Sequence, residues 1–152
     1  MAHSKITRTQ IMGLVAALLV VFPAPVIAQQ EGAADVAPSI TVELNGVTPR
    51  DSACQLTFFL TNTFDSDITG LVLETVLLTK DGVVDRLTLF DMRDVPTERP
   101  RVRQFDVPDL DCETLGQVLI NGLSTCEGSG LTPKVCLNSM SLSSRIEVEV
   151  LG

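Results

Sequence analysis

From Ile40 onward, apolar residues recur at every second position, and no long stretch repeats at 3.6. A period of two sends alternate side chains to opposite faces of a strand, so the chain must bury one face of its sheets. Ile40, Val42 and Leu44 alternate with Thr41, Glu43 and Asn45. Cys54, Leu56, Phe58 and Leu60 alternate with Gln55, Thr57, Phe59 and Thr61, which puts Cys54 on the core side of its strand. Leu71 to Thr79 is longer, with apolar residues of both parities at its end. That suits a strand covered on both faces or one near a sheet edge. Lys80-Asp81-Gly82 reads as a hairpin turn, with Asp-Gly supplying positive φ values. The chain then returns through Val83–Phe90, with Leu87 and Leu89 on one face. Arg101–Val107, Gly116–Leu123 and a last strand carrying Ile146, Val148 and Val150 complete the set.

The intervening segments read as turns and connections. Asn62 to Asp67 is turn chemistry, and Asp91 to Pro100 is a connection holding two prolines. Asp109 to Glu113 reads as a short helical turn with Asp111 as N-cap. Ser124 to Ser139 reads as a loop. About seven short strands with frequent turns predict an all-β fold, an immunoglobulin-like antiparallel β-sandwich spanning 39–152.

The N-terminus reads as an address. Residues 1–10 hold Lys5 and Arg8 and no acid, Ile11 to Phe22 is apolar or small throughout, and Val26-Ile27-Ala28 follows two prolines. This is the layout of a secretory signal peptide, 1–28, cut after Ala28, with 29–38 as a flexible lead-in. A membrane anchor fits less well, because a span needs about 20 apolar residues. No membrane span is therefore expected after removal of the signal. Removal would leave 124 residues with all 19 acids but nine of the 11 bases, a formal charge of −10.

Cys54, Cys112, Cys126 and Cys136 all lie in the exported part. An even count in an oxidising compartment implies two disulfides. Zinc or redox chemistry would need a C-x-x-C spacing, and none is present. If the strands alternate up and down, Cys54 and Cys112 fall at one end of the sandwich and Cys126 and Cys136 at the other. The expected pairs are therefore Cys54–Cys112 and Cys126–Cys136.

Composition excludes several function classes. The acidic balance argues against nucleic acid, which calls for a basic face. The one histidine, His3, leaves with the signal, so His-based nucleophile systems are unavailable. No enzyme, cofactor or metal site is expected. The acidic runs Asp65/Asp67 and Asp106/Asp109/Asp111/Glu113 read as solvated surface, with a Ca²⁺ site as the alternative. Arg99, Arg101 and Arg103 share one strand face, near Arg93. They read as charge balance against neighbouring acids, or as a patch for an anionic partner. Leu131 and Val135, in the loop between Cys126 and Cys136, are expected to be exposed and are candidates for binding.

Leu56 to Phe105 resembles the FxLYD class of bacterial immunoglobulin-like modules, through Asn62, Asp81-Gly82 and Phe105. Thr75, Leu77, Leu78 and Thr79 stand where that class has Phe, Leu, Tyr and Asp. The whole exported part resembles a group of secreted alphaproteobacterial proteins. Val42-Glu43-Leu44-Asn45, the four cysteines, Asp81-Gly82-Val83-Val84, Phe105-Asp106, Leu119-Ile120-Asn121 and Ser143-Ser144-Arg145 carry that resemblance. It implies a Gram-negative periplasm or exterior and brings no activity with it. The expectation is a non-catalytic exported interaction or structural module of the bacterial envelope, with another envelope protein as partner. The alternative is a Ca²⁺- or small-ligand-binding periplasmic protein.

Overall fold

Ile40 opens the first strand, β1 (Ile40–Arg50), and Ile40, Val42 and Leu44 are fully buried along it. A computed structural model describes residues 37–152. The signal segment 1–28 and most of the lead-in lie outside the described residues. β2 (Ala53–Asn62) runs back antiparallel to β1 and buries Cys54, Leu56, Phe58 and Leu60 on its inner face. β3 (Ile68–Thr79), β4 (Val84–Val95), β5 (Arg101–Pro108) and β6 (Leu115–Glu127) follow. A short helix, α1 (Pro133–Asn138), then leads to β7 (Met140–Ser144) and β8 (Glu149–Leu151).

The eight strands form two four-stranded sheets, ordered β5-β2-β1-β7 and β4-β3-β6-β8. The sheets pack face to face around one cluster of buried side chains from both, including Leu44, Phe58, Leu73, Leu77, Met92 and Val118. Each large aliphatic or Phe side chain removed from water contributes about 2 kcal/mol. Phe58, Phe90 and Phe105 pack at ring-centroid distances of 4.7 to 6.1 Å, joining β2, β4 and β5.

The fold is the expected sandwich, with four differences of detail. There are eight strands rather than seven, because Met140–Ser144 adds a strand that was not expected, while the expected last one is regular only over Glu149–Leu151. Residues 145–148 bend, so β7 joins one sheet and β8 the other. Val148 stays buried, and Ile146 and Val150 pack against the core, so the alternation persists although the backbone changes sheets. The pairing is also not wholly antiparallel: β7 runs parallel to β1 and β8 parallel to β6. The crossover through α1 returns the chain in the direction of β1.

The third difference is in β4, which runs on to Val95, into the expected connection, whereas the expected turn at Asp109–Glu113 is present with Asp111 capping it. The Asp111 side chain accepts from Glu113 N at 2.9 Å, and Thr114 N bonds Asp111 O at 3.1 Å. An Asx turn satisfies the donors a helix start would have offered. The fourth is the loop expected over Ser124 to Ser139. β6 extends to Glu127, and α1 is capped by Thr132, whose side chain accepts from Val135 N, with Pro133 at its first position.

The β3–β4 hairpin turns through Lys80, Asp81 and Gly82. Of these only Gly82 has a positive φ, 76°. Gly82 N bonds Thr79 O and Thr79 N bonds Val83 O, the pattern of a three-residue loop closed by glycine in the left-handed region.

Both pairs of cysteines are bonded as expected, Cys54 to Cys112 and Cys126 to Cys136. Cys126 stands opposite Leu71 at the start of β3, and Cys54 opposite Val107 at the end of β5, so the two bonds staple opposite ends of the sandwich. Disulfides persist in oxidising surroundings, and two of them fit an extracytoplasmic setting. No helix among the described residues is long and apolar enough to cross a membrane.

Candidate interaction surface

The arginines of β5 close one side of the sandwich. Arg101 Nη2 lies 2.8 Å and Arg103 Nη2 3.1 Å from the carboxylate of Asp94 on β4. Arg103 also donates to the carbonyls of Met92 and Asp94, at 2.8 and 3.1 Å. Those carbonyls belong to an edge strand, so Arg103 occupies positions where another chain could otherwise pair. At the far end of the same side, Arg86 donates to the carbonyls of Pro108 and Asp109. Arg99 is exposed beyond this group, and Arg93 sits at a bulge in β4 with φ 58°.

Two carboxylates are tuned by such contacts. Hydrogen bonds from Arg101, reinforced by its charge and that of Arg103, hold Asp94 below the ordinary carboxylate range. Asn45 and then Arg145, donating at 2.9 and 2.8 Å, lower Glu43.

Of the loop candidates, Val135 is exposed, 41%. Leu131, expected to be exposed, is half-buried and packed on the core. It folds onto Gly128, where an added Cβ would stand 2.7 Å from Leu131 Cδ1, and its N bonds Gly128 O. Residues of the acidic runs hold neighbouring segments: Asp67 accepts from Thr97 N in the β4–β5 connection, and Asp106 accepts across the strands from Gln55. Among the described residues, no group of three or more His, Cys, Asp or Glu side chains is arranged to hold a metal ion.

The two outer faces of the sandwich differ in chemistry. The outer face of β5-β2-β1-β7 is mostly hydroxyl and amide, and its side chains bond across strands, Gln104 to Thr57 and Gln55 to Asp106. The outer face of β4-β3-β6-β8 carries an unbroken apolar row across all four strands. Leu87 pairs with Val76, Val76 with Leu119, and Leu119 with Leu151. Three strand spacings make this row about 14 Å long. Leu87 is 73% exposed and Leu89, beside it on β4, 61%. A hollow of about 240 Å³ opens here, lined among others by Glu74, Val76, Leu87, Leu89 and Asn121.

The flanks of the row are acidic. In the next row Glu74 lies between Leu89 and Gly122, its carboxylate close over Gly122. In the preceding row Glu149 follows Val84, Leu78 and Gln117. These three rows contain no Lys or Arg, and neither Glu74 nor Glu149 has an ion-pair partner among the described residues. The sequence placed Leu87 and Leu89 on one face; the mixed parity of Leu71–Thr79 suited a strand covered on both faces or one near a sheet edge, whereas β3 is an inner strand, between β4 and β6, with one face on the core. The sequence did not place Leu119 and Leu151 beside Leu87 and Leu89, because that requires the pairing register.

No family model, curated protein or solved structure matches this chain.

Proposed function

We propose that this protein is a non-catalytic, exported interaction module of a bacterial envelope, delivered by the signal at 1–28. The apolar row of Leu87, Val76, Leu119 and Leu151 carries this reading, open to solvent at Leu87 and its neighbour Leu89, half-covered at Leu119 and covered at Val76. An exposed aliphatic band on a small stapled domain costs solubility unless something covers it. Two disulfides support an oxidising location. The resemblance to secreted alphaproteobacterial proteins supports a periplasmic or exterior one. The chemistry supports binding over catalysis: the described residues contain no histidine and no unbonded cysteine.

The test is crosslinking in intact cells with a short bifunctional reagent. A discrete adduct containing this chain and one recurring second protein is expected. A chain that stays uncrosslinked at every reagent concentration overturns the reading.

A further inference from the structure

We infer that the outer face of β4-β3-β6-β8 docks a cationic amphipathic helix of another protein, its apolar stripe lying along the Leu87–Val76–Leu119–Leu151 row. This rests on the interaction-module reading and names the surface and the partner's chemistry.

The shape of the site selects a helix. A strand laid on the face of a sheet leaves its own N–H and C=O groups unpaired, whereas a helix satisfies them internally. A row about 14 Å long matches about ten helical residues at 1.5 Å each. The hollow between Leu87, Leu89 and Val76 takes one large aliphatic side chain of that helix.

The charge selects a basic one. Glu74 and Glu149 stand one row to either side, about 7 Å from the apolar line. Lys or Arg on both flanks of an apolar helical stripe reach that distance by extending over it. The same charges disfavour other occupants. A second copy laid face to face would bring like carboxylates together, between chains whose described residues hold 17 acids and nine bases. An anionic lipid surface meets the same repulsion.

The experiment uses the exported chain with both disulfides formed and a synthetic helical peptide of Leu and Lys, with a Leu/Glu peptide of the same pattern as counterpart. Titration followed by NMR should give saturable shifts of the Val76, Leu87, Leu119 and Leu151 methyl groups with the Lys peptide. Leu87→Ser should weaken binding by about tenfold, the worth of one buried Leu. It should leave the urea midpoint unchanged, because Leu87 is exposed in the domain itself. Glu74→Lys combined with Glu149→Lys should reverse the preference toward the Glu peptide, whereas Asp106→Asn, on the other sheet, should leave it as it was.

Shifts spread over both faces, or binding insensitive to Leu87→Ser, overturn the proposal. A dimer in sedimentation that Leu87→Ser dissolves assigns the face to a second copy and overturns it too. So does binding to phosphatidylglycerol vesicles in preference to the peptide. A photo-crosslinking side chain placed at 87 or at 57 separates this failure from that of the broader reading. A cellular partner captured from 57 and not from 87 sinks the helix-docking face alone, and capture from neither sinks both. Capture from 87 supports the proposal only when the Lys peptide competes it away.

Discussion

Asn62 shows how one buried amide can hold a connection in place. Its Nδ2 donates to the carbonyls of Ser66 and Val95, at 3.0 and 2.9 Å, and its Oδ1 accepts from Phe64 N at 2.9 Å. The side chain thereby closes the β2–β3 turn and ties it to the end of β4. Asn62→Ala strands two carbonyls and one N–H in a buried setting, and should cost about 3 kcal/mol in urea unfolding. Asp94 and Glu43 each contribute to acid sensitivity. Both have pKa values lowered in the folded state. The unfolded chain therefore binds these protons more readily than the folded one. Their contribution is present above the ordinary carboxylate pKa of about 4 and disappears as pH falls through the lowered values. Urea midpoints between pH 7 and pH 2 should decline at the acid end, and Asp94→Asn should make that decline shallower. The side-chain exchange at Asp94 was legible in the sequence only as charge balance. Nothing local announced that Arg103 would also take two main-chain carbonyls.

Individual strands were more legible than the segments that join them. Ile40, Val42 and Leu44, and the run from Cys54 to Leu60, read correctly because a strand with one buried face needs only local alternation. The end of the chain was harder. Ile146, Val148 and Val150 alternate like one strand, yet Ile146 and Val148 lie in the bend by which the chain crosses from sheet to sheet, and only Val150 is in a strand. Side chains can keep pointing at the core while their backbone leaves one ladder for another, so alternation alone cannot mark the break. The cysteine pairing followed from the up-and-down order of the strands, and the two bonds differ in weight. Cys54–Cys112 closes 58 residues and Cys126–Cys136 closes 10. In the chain-entropy model these correspond to about 4 and about 3 kcal/mol. Replacing the first pair by Ala should therefore lower the urea midpoint more than replacing the second, a comparison of two double variants under one set of conditions.

For the whole molecule, the sides and faces of the sandwich have separate tasks. One side is sealed by arginines from β4 and β5, and the other by the chain passing from β7 to β8. The polar outer face is bonded to itself. The aliphatic one is left open, and it is the product of three pairings between strands distant in sequence, which is why no single segment revealed it. The crossing from β7 to β8 has a mechanical side as well. β1 and β7 run parallel, as do β6 and β8. A pull applied at Ile40 and Ser144, the outer ends of the β1–β7 pair, is therefore directed along the strands rather than across them. The hydrogen bonds of the β1–β7 pair then share the force and slide together, instead of opening one at a time from an end. A domain loaded across that pair would hold under tension like a lap joint.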